Sequence, residues 1–192
     1  MAKASRQPFF LMASSHDPHD PFPGTGAEKS RLGKPHYERA APSRTFSAEE
    51  VRVPGFLPDL PAIRRELAAY SNSVRRMDDM VGGILDELDR AGLTGNTIVI
   101  FLSDHGMGFP GAKGNCYVQS TRSPWIVRWP GQVAAGSHDR THMVSAVDLQ
   151  PTILEAVGLP PVEPSDGRSF LSLLRGQPQE NRDHVFTQFF HI

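Results

Sequence analysis

Eight apolar residues, Ile63, Leu67, Tyr70, Val74, Met77, Val81, Ile84 and Leu88, recur alternately four and three positions apart. That spacing lays one apolar stripe along a helix of about eight turns. Arg64, Arg65, Glu66, Arg75, Arg76, Asp86, Glu87 and Asp89 fall mostly off the stripe, and Gly92 is placed to cap the carboxyl end. The stripe is core. Asp78 and Asp79 sit on its flank, where carboxylates meet water or nearby arginines, and they are given no chemistry. The helix leads directly into Ile98-Val99-Ile100-Phe101-Leu102. This run is β-branched and aromatic and too short for a buried helix, so it predicts an interior strand of a parallel sheet. Pro8 to Ala13, also compact and apolar, predicts a second buried strand ahead of the helix. Strand, helix, strand with short joints is the logic of an α/β fold with a parallel sheet.

Both predicted strands stop at polar chemistry. The later one ends at Ser103-Asp104-His105-Gly106, and open α/β sheets bind ligands at the carboxyl ends of their strands. A glycine-rich loop follows and closes on one cation, Lys113. A carboxylate, an imidazole and an amine at one strand mouth suit a metal plus an anionic substrate. The plainer reading is a turn-capping aspartate beside a surface histidine, and three residues alone do not decide against it. The earlier strand ends at Ser14-Ser15-His16-Asp17-Pro18-His19-Asp20-Pro21. Two prolines stiffen that loop. One of its histidines can face an anion as donor or general acid, or the loop is a charge-paired surface turn.

The remaining chain punctuates clearly. Residues 20–60 are rich in Pro, Gly and charge and read as a long surface excursion, a length that in compact domains goes with function. Trp125-Ile126-Val127 predicts a third strand, ended by Trp129-Pro130-Gly131. Asp148 predicts the cap of a helix with Pro151 in its first turn and Gly158 at its end. Phe170 to Leu174 is a short amphipathic segment. His184 to Phe190 predicts a last strand, and its apolar ending suggests a longer protein that has been cut.

Composition removes several classes. A net charge of −1 gives no electrostatic case for nucleic acid or an anionic membrane. One cysteine, Cys116, cannot build an internal disulfide framework. No apolar run approaches a membrane span, and the first ten residues lack the apolar core of a secretory signal.

The series FFLMASSHDPH, RRMDDMVGGILDEL, TIVIFLSDHG, then Lys113 with Tyr117, Arg122 and Pro124, then IVRWPG, VDLQPTILEAVG and DGRSFLSLL, resembles the sulfatase family of the alkaline phosphatase superfamily. The resemblance covers nearly the whole chain in order. The FPGAK loop and Asn115-Cys116-Tyr117 are similar to the heparan N-sulfatase (sulfamidase) branch and its bacterial relatives. It implies an alkaline phosphatase-like fold, α/β, with a mostly parallel sheet flanked by helices. It also implies that residues 1–192 are the central and C-terminal part of the catalytic domain, with the domain's N-terminal part and the C-terminal subdomain missing. Carried over by residue, Asp104 is a ligand of a divalent metal, usually calcium. His105 stands where many members place a metal-touching asparagine. His19 binds the sulfate group and helps protonate the leaving atom, and Lys113 contacts the sulfate.

The chain departs from that pattern in two ways. The family's formylglycine nucleophile arises from a C-x-P-S-R cysteine, and no such motif occurs. Ala40-Ala41-Pro42-Ser43-Arg44 mimics it with alanine, but on the wrong side of the His19 loop. The formylglycine and the paired aspartates of the metal site are therefore expected only in an N-terminal part absent from this chain. Histidine at position 105 also opens the metal choice to manganese or zinc, since imidazole suits them better than calcium. The leading expectation is a metal-dependent sulfuric ester or N-sulfate hydrolase, catalytically incomplete as this polypeptide, acting on a small sulfated substrate such as a sulfated glycan. The alternatives are a phosphodiester or phosphonate ester hydrolase of the same superfamily and a non-catalytic sulfoglycan-binding module.

Overall fold

The computed structural model describes residues 7–32, 34 and 39–190. They divide into two compact units. The first lies within Met1–Thr94 and His105–Arg122, and the second comprises Gly95–Asp104 and Ser123–Ile192.

The first unit is built on the helix that the apolar stripe predicts, α2 (Pro61–Arg90), of 30 residues with Pro at its first turn. A four-residue helix, α1 (Gly26–Lys29), precedes it. The helix ends as its glycine demands. Gly92 has φ +68°, its N–H donates to the Asp89 carbonyl, and the Leu93 N–H donates to the Leu88 carbonyl. This pair of bonds satisfies carbonyls that a helix end would otherwise leave orphaned. Leu67 and Ala68 form the core with Val51, Leu57 and Phe109, and Phe46, Val53, Ile63, Tyr70 and Met107 pack around it. The stretch before α2 carries little regular structure, yet Val51 and Leu57 anchor it. Tyr70 meets the rings of Phe22 and Phe109 edge-on at 5.7 and 5.8 Å, a geometry that adds to burial. Burial also pushes the Tyr70 hydroxyl pKa up.

The loop after His105 wraps around a glycine. The Gly106 N–H donates to the Ser120 carbonyl at 3.1 Å. A methyl group there would sit far inside contact distance of the Gln119 carbonyl oxygen and 2.5 Å from that of Ala112. Backbone cannot yield as a side-chain tip can. Gly106→Ala is therefore expected to cost about 3 kcal/mol, the upper end of ordinary overpacking, read as a lowered urea midpoint. An unchanged midpoint would show that the loop does not close as described.

The second unit holds β1 (Val99–Leu102), β2 (Trp125–Arg128), α4 (Leu149–Ala156) and α5 (Leu171–Leu174), with short 3₁₀ turns before β1 and α4; α3 (Val118–Thr121) belongs to the first unit. Pro151 lies in the first turn of α4, and Gly158 closes it with the same paired bonds as at Gly92. Trp125 packs edge-on against Phe170 at 4.9 Å. Asp148, foreseen as a helix cap, lies deeper than a cap needs to. It is 1% exposed and forms a capping box with Ser145 around the preceding turn. Its Oδ1 also accepts from the Arg168 N–H at 2.8 Å and Arg182 Nη2 at 2.7 Å.

Two strand expectations are corrected. Among the described residues the sheet has two strands, and β1 pairs with β2 antiparallel, Val99 opposite Arg128 and Leu102 opposite Trp125. The expected interior parallel strand is therefore one of a pair, with Leu102 and Ile126 left exposed. The segments at Phe9 and at Val185 form no strand. Phe10 is 80% exposed and Phe186 90%. A strand needs a neighbour for its backbone and cover for its apolar face, and here neither segment has them. Among the described residues no helix is long and apolar enough to cross a membrane.

Candidate functional site

His19 sits in a turn whose backbone is closed by its own N–H donating to the His16 carbonyl at 2.9 Å. Its Nδ1 faces two oxygens of Asp20, the carbonyl at 2.9 Å and Oδ1 at 2.9 Å. Facing two acceptors, Nδ1 carries the proton, which makes Nε2 the acceptor nitrogen of the neutral ring. The side chain is half-exposed. The His16 ring meets it edge-on at 5.2 Å. Burial, and then the charges of Arg39 and His19, hold His16 below its ordinary pKa.

His105 is oriented in the same way. Its Nδ1 lies 2.8 Å from the Gly106 carbonyl, which makes Nδ1 the donor. Metal-ligating histidines are held by just such a bond from the other nitrogen. Ser103 Oγ donates to Asp104 Oδ1 at 3.5 Å. Asp104 and Lys113 are both exposed. The Lys113 carbonyl accepts from Asn115 Nδ2 at 3.1 Å, and Asn115 Oδ1 accepts from the Tyr117 N–H at 2.8 Å. His19, His105 and Lys113 belong to the first unit, and Asp104 ends a segment of the second. Among the described residues no group of three or more His, Cys, Asp or Glu side chains could hold a metal ion. Asp104 and His105 are thus two donors of suitable chemistry, short of the six or more that calcium takes and of the four usual for zinc.

The sequence reading missed what lies between the histidines. Asp17 is 12% exposed and its carboxylate is gripped by Arg76, which is 7% exposed. Arg76 is among the residues that the spacing puts off the apolar stripe. Burial alone would push the Asp17 carboxyl up; hydrogen bonds from Arg76 and Ser73, and the charges of Arg76 and Arg39, outweigh it and hold the pKa down. One signal was present. Ser73 and Arg76 are three apart on the face that borders Val74 and Met77, and an arginine beside an apolar stripe can be drawn under cover by a carboxylate. Asp78 and Asp79 pair with Arg75 at 3.0 Å each, and Asp79 also accepts from the Ser43 N–H and hydroxyl. The A-A-P-S-R segment is therefore docked on α2. Elsewhere Asp139 is held at about 2 by the His142 and Thr141 N–H groups and the His142 ring; it organises a turn.

Comparison with known proteins adds to this geometry. Human N-sulphoglucosamine sulphohydrolase is 36% identical over 190 residues, covering 90% of this chain and 38% of its own length. The ulvan-active sulfatase of Formosa agariphila is 32% identical over 134 residues, covering 70% and 22%. The chain therefore spans well under half the length of these relatives. A solved structure of a protein in complex with its substrate D-glucosamine-2-N,6-O-disulfate matches with a TM-score of 0.56 at 25% identity, over 71% of this chain and 30% of that one. A phosphonate monoester hydrolase from Silicibacter pomeroyi matches with a TM-score of 0.55 at 26% identity, over 69% and 28%. These likenesses bear out the expected fold class, a partial alkaline phosphatase-like α/β architecture. The family model described as Sulfatase matches residues 1–159. That span takes in the His19 turn, α2, the strand end at Asp104 and the Lys113 loop, and on it the chain belongs to the sulfatase family.

Proposed function

We propose that this chain is part of the catalytic domain of a hydrolase that cleaves a sulfate ester or an N-sulfate. The observation that carries the reading is the sulfatase match over residues 1–159, which takes in both the His19 turn and the end of β1 at Asp104. The substrate class is a sulfated sugar, supported by the sulfated glucosamine named with two of the similar proteins. Cleavage moves negative charge onto the sulfuryl oxygens and the departing oxygen or nitrogen. Lys113 supplies a cation to the first, which is where fixed charge accelerates such a step. His19, once protonated, carries a proton on Nε2 for the second, while Nδ1–H on Asp20 fixes the ring. Sulfatases in general use a divalent metal and a formylglycine, the metal to withdraw charge from the sulfate oxygens and the formylglycine to attack sulfur. Asp104 and His105 are the donors assigned to that metal. Calcium is the ion the family pattern implies, and the His105 imidazole also accommodates manganese or zinc. The donor set is too small to hold an ion alone, so the polypeptide is read as catalytically incomplete.

Two measurements test this. On a chromogenic sulfate ester the purified chain is expected to turn over no faster than its His19→Ala variant; robust turnover would refute the incompleteness. Binding of D-glucosamine-2-N,6-O-disulfate, followed by calorimetry, is expected to weaken about ten-fold in Lys113→Ala, the worth of one hydrogen bond from a charged group. Unchanged affinity would remove Lys113 from the site. A second reading, phosphonate or phosphodiester hydrolysis, is favoured by the phosphonate monoester hydrolase likeness and by the imidazole at 105. Tighter binding of a phosphonate monoester than of the sulfate in the same calorimeter would select it.

A further inference from the structure

We propose that Arg76 is a positioning residue for the His16–His19 imidazole pair and acts on it through Asp17. The proposal rests on the reading that His19 meets the sulfate group. Asp17 lies between the two histidines, and its carboxylate takes four hydrogen bonds. Oδ1 accepts from Arg76 Nη2 at 2.7 Å, Ser73 Oγ at 2.8 Å and Arg39 Nη1 at 3.1 Å. Oδ2 accepts from Arg76 Nε at 2.8 Å. The remaining arm, Arg76 Nη1, reaches Glu28 Oε1 at 2.9 Å, and Glu28 Oε2 accepts from the Gly24 N–H at 2.7 Å. One guanidinium on α2 thus grips both ends of the segment that carries His19.

The geometry goes beyond charge neutralisation. A two-point bond from a planar guanidinium fixes the plane of a carboxylate, which a lysine ammonium cannot do. Fixing the Asp17 side chain fixes the backbone from which both imidazoles hang. The turn is closed by the His19 N–H on the His16 carbonyl, and the rings meet at 5.2 Å with 76° between their planes. A purely structural cluster would set stability and leave the rings of the folded molecule where they are. A positioning cluster sets the ring geometry as well.

The test uses the full chain, with Arg76→Lys and Ser73→Ala as variants, each first shown to be folded by far-ultraviolet circular dichroism. Long-range proton–nitrogen NMR follows the histidine rings while sodium sulfate is added at constant ionic strength. Arg76→Lys keeps the charge and loses the fork. It is expected to lose the nuclear Overhauser contact between the His16 and His19 rings. The sulfate midpoint read at His19 is expected to rise about ten-fold, the lower end of what outer partners of a site contribute. Ser73→Ala removes one bond to Asp17 and shows a smaller change in the same direction, and it decides the question if Arg76→Lys does not fold. An unchanged ring contact and midpoint in the folded variant overturn the proposal. If His19 of the unsubstituted chain does not respond to sulfate, the functional reading of His19 fails. The ring contact alone then decides: its loss supports positioning by Arg76, and its retention refutes it.

Discussion

Arg76→Met is expected to lower the unfolding free energy by about 3–5 kcal/mol, the cost of breaking a buried ion pair from one side. The magnitude follows from what is left behind. Asp17 and Glu28 are both nearly covered and both lean on the same guanidinium. Without it, two carboxylates share a buried site with only Arg39 and Ser73 to answer Asp17. Urea unfolding followed by circular dichroism, which is dominated by α2, reads the loss; a midpoint equal to the parent's would sink the account. Acid provides an independent check. The folded Asp17 carboxyl is held below its ordinary value, so the folded chain binds fewer protons there than the unfolded chain does. That contribution is complete above the unfolded carboxyl value of about 3.9 and is lost as the pH falls through the lower folded one. In Arg76→Met burial meets less opposition, the folded value moves back toward the unfolded one, and the part of the acid sensitivity that Asp17 contributes shrinks.

Asp148→Ala is expected to cost a comparable amount, about 3–5 kcal/mol, by the same one-sided loss. This carboxylate is the acceptor on which the second unit converges. Oδ2 takes the Ser145 N–H at 2.7 Å, and Oδ1 takes the Arg168 N–H and the Arg182 guanidinium. Alanine leaves two main-chain donors and a guanidinium that is 14% exposed without their acceptor, and each unmet buried donor costs about 1–3 kcal/mol. Asp148→Asn keeps one oxygen and the shape, and should fall between. Tryptophan fluorescence reports this unit directly, since both tryptophans, Trp125 and Trp129, lie in it. A loss under about 1 kcal/mol in Asp148→Ala would mean that Arg182 does not depend on this partner.

What could be read from the residues follows the range of the forces involved. The extent of α2 and its glycine stop are local facts, set by a stripe of period near 3.6 and by one backbone angle, and both were legible. The strand at Val99 was legible for the same reason. Its pairing was not, because orientation is decided by a partner that lies beyond the intervening loop. The burial of Arg76 was not legible from its place off the stripe, because the carboxylates that hold it, Asp17 and Glu28, lie 59 and 48 positions away. Asp148 was recognised as a helix-start residue and not as an acceptor for Arg182, 34 positions later. For the candidate site, Asp104, His105 and Lys113 could be named from their place at a predicted strand end, whereas of the two histidines in the earlier loop only the family resemblance singled out His19. The tautomers of His19 and His105 could not be named, since each depends on which oxygen faces Nδ1.

The long helix is gripped unevenly. Its buried residues, Leu67, Ala68, Ser73 and Arg76, fall in one middle stretch, and none lies between Arg76 and the end at Arg90. That distal run contains Gly82 and Gly83, with open space where side chains would be, and glycine weakens a helix by about 1 kcal/mol per residue. Amides after Arg76 are therefore expected to exchange with solvent hydrogen sooner than those between Leu67 and Arg76. On that expectation the histidine turn rides on the last part of the rod to let go.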